Sequence, residues 1–448
     1  MITDQAAARL NEWRLLRLAE IRPLKGVLYN KSIVEDLSTV VAPPYDVIGE
    51  EAHKTLLKNS KYNVVRLELP QGSSTDGSKN NKYARAWSTY SDWLEKGVLV
   101  RDLEPSIYVY EQEYEVRGVT MNRIGFIALT RVEDFSTGKI KAHERTLKGP
   151  KADRLRLMRA CGTNFSQIFS LFSDPENNVD AILRGHTNEK PRVDIEVDGI
   201  IHRLWAISDP AVIAEIQELM LDKPLYIADG HHRYETAINY RDEMRKATGD
   251  DSGGRAFDFT MMMFVNMDSE GLTILPTHRM LKNLPKINND KFRANLEHVF
   301  AVEKMETVDK VMAGLAANAD KHSIGVYMGN GTFYLLTLKN EAGILQLLDG
   351  PESKAWKLLD VTMLHHVIIN RVLGFGGTNI ENSIKFTTNE NEAVELVTGG
   401  TYQMAFFLNP TKVDDVRGIA GVGEIMPQKS TYFYPKLLSG LVFNRLEW

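Results

Sequence analysis

Five consecutive residues, Asp229-Gly230-His231-His232-Arg233, carry the densest chemistry in this 448-residue chain. They follow an apolar, β-prone run at 225–228. They precede a stretch in which Tyr234, Ala237, Ile238 and the stem of Arg241 recur on one helical face. That order predicts a strand, a tight turn and a helix. Asp229 is placed to cap the helix, and Gly230 lets the backbone turn sharply or a ligand come close. The unbonded N–H groups of a first helical turn attract anions, and Arg233 adds forked donors beside two imidazoles. Phosphate binding suits this arrangement, although a strand–glycine–helix junction is also an ordinary connection.

Residues 139–159 are strongly basic in a chain whose net charge is −5. Glu144, between His143 and Arg145, is a general-base candidate. The same stretch reads equally well as a solvated charge run. Lys148, Lys151 and Arg154, around the Gly149-Pro150 break, either grip phosphate or face water. His278-Arg279 forms a second polar cluster or a capped connector. Near the C-terminus, Lys429 sits in Met426-Pro-Gln-Lys-Ser-Thr431, ahead of an aromatic-rich segment. That segment is expected to fold back on the body, either bringing Lys429 to the site or simply closing the chain with a strand. Two prolines stiffen the loop at 40–48, which presents Tyr45 and Asp46 as a connector or a ligand contact.

The elements that must hold these residues read as an alternation of helices and strands without a repeat. Helices are predicted near 4–19, 50–59, 83–96, 153–160, 210–220, 291–299, 308–317 and 361–373. Strands are predicted near 21–29, 63–69, 165–172, 257–266, 323–328, 332–339 and 402–408. Arg117-Gly118 and Asp198-Gly199 predict hairpins. Within the helix at 361–373, His365 and His366 point about 100° apart, so they do not readily share a metal. Hydrophobic content of 43% and charged content of 25% are those of an ordinary globular protein. The acidic balance argues against a broad nucleic-acid surface, and no apolar run is long enough to span a bilayer. A single cysteine, Cys161, excludes an intrachain disulfide framework and fits a reducing cytoplasm. Three regions are expected: 1–132, a first α/β region; 133–280, the phosphate-binding core; and 281–448, a C-terminal α/β domain.

Ala228-Asp-Gly-His-His-Arg-Tyr-Glu-Thr-Ala237 resembles the hallmark of a large uncharacterised family, a domain of unknown function found in many anaerobic bacteria and archaea. Val41-Ala-Pro-Pro-Tyr-Asp-Val-Ile48, His143-Glu144 with Gly149-Pro-Lys151 and Asp153-Arg154, Leu275-Pro-Thr-His-Arg279 and Met426-Pro-Gln-Lys-Ser-Thr431 match it in order. The central box is also similar to that of the superfamily containing ParB partition proteins, sulfiredoxins and free serine kinases. Where sulfiredoxins carry a reactive cysteine this chain has His231, and no ParB-type helix-turn-helix is evident. The kinase comparison meets no such objection.

The resemblance implies an α+β fold with a mixed-sheet, ParB/sulfiredoxin-like core and further α/β elaborations. It implies a cytoplasmic phosphotransferase using ATP or ADP with Mg²⁺ on a small hydroxylated metabolite, L-serine first among them. Gly230, His231 and Arg233 would hold the nucleotide phosphates, with Lys151, Arg154, Arg279 and Lys429 as further anion contacts. Glu144 would be the base, and His232 and Asp229 would assist, Asp229 by orienting His232 or holding Mg²⁺. The alternatives are a ParB-like nucleotide switch without turnover and a nuclease-like hydrolase. A small-molecule substrate is expected, with no membrane or nucleic-acid partner; a homodimer is one option for assembly.

Overall fold

The computed structural model describes residues 19–376 and 382–446. Most of the helix expected at 4–19 lies outside them. The described chain divides into two units: 19–142, 146–273 and 435–446 form the first, and 143–145 with 274–434 form the second.

The first unit is built on a nine-stranded mixed sheet. Its order is Ile140–Lys141, Leu225–Asp229, Ile168–Phe172, Phe259–Asn266, Val119–Arg131, Ile107–Val116, Ile200–Ile207 and Val193–Val197, with Ile21–Arg22 also pairing Val119–Arg131. Leu225–Asp229 runs parallel to Ile140–Lys141, and Phe259–Asn266 parallel to Ile168–Phe172; the other pairs are antiparallel. Both expected hairpins form. Arg117 and Gly118, and Asp198 and Gly199, all take positive φ, as the tight turn requires. Helices Pro210–Met220, Asn178–Gly185 and His231–Thr248 supply Ile216, Leu183 and Tyr234 to a core shared with Phe126, Phe172, Ile227 and Phe264. Ile107–Val116 and Val119–Arg131, from 19–132, lie side by side between Phe259–Asn266 and Ile200–Ile207, from 133–273, so the two regions expected separately share one sheet.

The second unit is a six-stranded antiparallel sheet. Its order is Phe300–Met305, Phe333–Leu338, Ser323–Tyr327, Met404–Leu408, His278–Leu281 and Ile384–Thr387. Successive residues alternate between two cores: Met404, Phe406 and Leu408 join one, and Ala405 and Phe407 the other. Helices therefore cover both faces, as the 2-residue period of a strand demands.

Two elements differ from expectation. Residues 63–69 read as a strand, yet Val65–Glu68 is one helical turn. Asn63 sets it: its Oδ1 accepts from the Val65 amide, while its Nδ2 donates to the carbonyls of Thr39 and Val41. The apolar stretch at 361–373 is mainly a π-helix, Met363–Val372, not an α-helix. No described helix is long and apolar enough to cross a membrane.

Candidate phosphate-binding site

The box forms the predicted strand–turn–helix. Strand Leu225–Asp229 ends on a register shift between Ile227 and Asp229, which re-aims the chain just before Gly230. Gly230, at φ +91°, is the residue at the helix N-cap. Asp229 is not the cap, which corrects the sequence expectation. A Cβ on Gly230 would lie 2.9 Å from the Arg233 guanidinium, so glycine is needed both for the turn and for the arginine that folds over it. The 18-residue helix His231–Thr248 has no side-chain cap at its start. With glycine at the cap position, no capping side chain covers the positive end of the helix dipole.

Arg233 Nη1 donates to the Gln167 carbonyl at 2.5 Å and to Ser166 Oγ at 3.1 Å, and Nη2 donates to Asp229 Oδ2 at 3.1 Å. Its Nε is buried, with no partner among the described residues. Lys436 Nζ reaches Asp229 Oδ1 at 3.3 Å. Burial would raise the Asp229 pKa, but Lys436 and Arg233 outweigh it and hold the carboxylate low, at about 2. His232 Nε2 accepts from the Leu147 amide at 2.9 Å, so it anchors the start of helix Lys148–Cys161. His231 is buried, and that burial pushes its pKa down to about 4 against the pull of Asp229.

The other expected residues disperse. Lys151 pairs with Glu235 at 2.5 Å, and Glu235 also accepts from Thr146. Arg154 is buried, donates to the Glu68 carbonyl at 2.6 Å, pairs with Asp153 at 2.5 Å and lies 4.2 Å from the Tyr45 ring centre. Arg154 and Arg233 both line a cavity of about 40 Å³ with Glu68, Ser166 and Thr236. Glu144, Arg279 and Lys429 belong to the second unit. Glu144 is half-buried there. Arg279 is wholly buried, with donors on the carbonyls of Thr277 and Lys429, and burial lowers its pKa to about 9. Lys429 takes positive φ and has an exposed side chain. The lysine at the box is Lys436, which, with Glu68 and Ser166, no local pattern marked. Cys161 is buried and its thiol is pushed up to about 12, the reverse of an activated thiol.

Among the described residues no group of three or more His, Cys, Asp or Glu side chains is arranged to hold a metal. Mg²⁺ bound largely through nucleotide phosphates needs only one or two protein carboxylates. Both Asp229 oxygens already face cations, so a metal there would have to displace one.

A pH prediction follows from two buried imidazoles of the first unit. His231 is pushed down to about 4 by burial, and His202 to about 3 by burial and Arg123. Both are neutral in the folded protein, whereas unfolded chains protonate below about 6.5. Their contribution is fully present above about pH 6.5 and is lost as pH falls toward those folded values. In His202→Gln, the slope of stability against pH near pH 5 should shrink by about 1.4 kcal/mol per pH unit, one proton's worth. Urea midpoints across pH 4.5–7 read it; an unchanged slope sinks the assignment.

A model of the family described as "Protein of unknown function (DUF1015)" matches residues 21–362. The chain belongs to this family. No curated protein matches it. Among solved structures it is similar to a conserved hypothetical protein from Pyrococcus furiosus, with 13% identity, TM-score 0.30, and coverage of 66% of this chain and 88% of that one. It is similar to a mutant free serine kinase in complex with ADP, at 12% identity and TM-score 0.32, covering 66% of this chain and 83% of that one. It is also similar to a C-terminally truncated SbnI from Staphylococcus aureus, at 11% identity and TM-score 0.33, covering 70% and 85%.

Proposed function

We propose that this DUF1015 protein binds a nucleotide's phosphates at the Asp229–Arg233 turn and transfers a phosphoryl group to a small hydroxylated metabolite, with L-serine the first candidate. One observation carries the reading. An 18-residue helix opens, without a side-chain cap, directly from a left-handed glycine, under an arginine whose Nε has no partner. Phosphoryl transfer asks a protein mainly for positioning and charge stabilisation, and this turn offers both.

In this reading the amides of the first turn and Arg233 hold phosphate oxygens, and His231 stays neutral and donates or accepts one hydrogen bond. His232 is the least available of the box, because it fixes the helix at Lys148. Lys151, paired with Glu235, and Arg154, beside Tyr45, are anion contacts of second rank in this reading. Mg²⁺, when bound with ATP or ADP, would supply further charge neutralisation on the phosphates. A nucleotide-gated switch without turnover is the second reading. It is favoured by the extent to which Asp229, Arg233 and Lys436 already neutralise one another.

Phosphorus NMR tests the proposal. The protein is mixed with Mg²⁺ and ATP, then ADP, with and without L-serine. A serine-dependent phosphomonoester signal is the expected result. Release of inorganic phosphate alone would favour hydrolysis or a switch, and unchanged nucleotide spectra would remove turnover from the reading.

A further inference from the structure

Two residues that line the small cavity, Glu68 and Arg233, each carry a buried polar atom, of opposite kind, that no described residue satisfies. Glu68 Oε2 is an acceptor without a partner, and Arg233 Nε is a donor without one. Native structures rarely orphan buried polar groups, because an unmet group retains its full desolvation cost. Here both orphans belong to residues that line one cavity, so a ligand offering a donor to Glu68 and an acceptor to Arg233 would satisfy both.

The surrounding contacts fix Glu68 rather than merely bury it. Its Oε1 accepts from Ser166 Oγ at 2.9 Å, and Ser166 Oγ in turn accepts from Arg233 Nη1 at 3.1 Å. Arg154 Nη1 lies 3.6 Å from the same Oε1 and donates to the Glu68 carbonyl. Glu68, Ser166 and Arg233 thus form one connected network, with the free oxygen left at its end. The other carboxylates around the box are engaged: Asp229 with Arg233 and Lys436, Glu235 with Lys151 and Thr146, and Asp153 with Arg154, Lys82 and Tyr83. Glu68 is the one carboxylate lining the cavity among the described residues. At about 40 Å³ the cavity has room for roughly three water-sized groups, at ~10–15 Å³ each. That is the reacting end of a small acceptor, and not a nucleotide.

We infer that Glu68 is the catalytic residue that receives the acceptor's hydroxyl, with Ser166 and Arg154 as its positioning residues and Arg233 holding a phosphate oxygen beside it. The inference rests on the phosphotransferase reading and names Glu68, in the box's own unit, in place of Glu144. In the step, the acceptor oxygen forms a bond to the terminal phosphorus. The phosphoanhydride bond breaks, its electron pair leaving on the nucleotide's remaining phosphate. The hydroxyl proton passes to Glu68 Oε2 and is later released to water. A carboxylate already aligned through its other oxygen meets the geometric demand on a general base.

The test uses the full chain. Glu68→Gln keeps the size and the Ser166 contact but cannot take a proton. It should lower kcat for phosphomonoester formation at least 100-fold while the affinity for ADP, titrated with a fluorescent ADP analogue, stays within twofold. Glu68→Asp, which retains the charge one methylene short, should recover part of the rate and stands in if the glutamine variant does not fold. A Glu68→Gln enzyme within threefold of the wild type overturns the inference and leaves the phosphotransferase reading standing. A wild type that binds ADP and phosphorylates no hydroxyl compound overturns both.

Discussion

Replacing Arg233 with Lys should weaken nucleotide binding about 100-fold and leave the protein folded, the loss expected when a charged donor aimed at phosphate is removed. Alanine is the poorer probe. Arg233 is a structural residue as well as a candidate ligand: it bridges Gln167, Ser166 and Asp229. Truncation would strip Asp229 of one counter-ion and orphan the Gln167 carbonyl, so lost activity could reflect lost structure. Lysine keeps the charge opposite Asp229 but has a single nitrogen, without the fork and without an Nε donor. It can serve the Gln167 carbonyl or a phosphate oxygen, not both. Titration with a fluorescent ADP analogue, alongside far-UV circular dichroism, reads the outcome. Unchanged affinity in a folded variant would detach the box from nucleotide binding.

The second large effect concerns stability. Asp229→Asn should destabilise the protein by about 2 kcal/mol, because removing a partly buried carboxylate leaves its cations uncompensated. Asp229 answers two of them, Arg233 at 3.1 Å and Lys436 at 3.3 Å. Its low pKa reports the same balance: at neutral pH the folded state gains from the ionised form, and that gain disappears as pH falls through the folded value. The double variant Asp229→Asn with Lys436→Met removes one stranded charge and should recover at least half of the loss. Urea unfolding of the three proteins gives the coupling directly. If Asp229→Asn is as stable as the wild type, Asp229 is not the counter-ion that holds the turn, and its place at the site must be argued from ligand contacts alone.

Both results bear on why the turn is built as it is. Gly230 is the hinge of the arrangement. Its left-handed backbone swings the chain from strand into helix, and its missing side chain leaves the space that the Arg233 guanidinium occupies. The Arg233 guanidinium is thereby held beside the turn, where Asp229 meets both it and Lys436.

Much of this was legible in the residues themselves, where the deciding forces act over a few positions. The strand, glycine turn and helix of 225–248 follow from a switch in apolar period, and the two hairpins from Arg117-Gly118 and Asp198-Gly199. Helix Pro210–Met220 appears with its expected bounds because Asp209 caps it and Pro210 fits its first turn. The same local rules misread 63–69. Its buried residues, Val64, Val65 and Leu67, suit either a strand or a one-turn helix, and the choice was made by carbonyls at Thr39 and Val41 more than twenty residues away. They also placed an α-helix where Met363–Val372 winds as a π-helix.

The sequence by itself therefore determined the box, its turn and its helix, since adjacent residues carry both the chemistry and the conformational preference. Only the tertiary structure decided what surrounds it. Ser166 reaches Arg233 across 67 positions and Lys436 reaches Asp229 across 207. Propensity, capping and periodicity contain no term that spans such distances. Those partners are selected when the nine-stranded sheet closes and burial sets the charges against one another, Glu68 against Arg154 and Asp229 against Arg233 and Lys436.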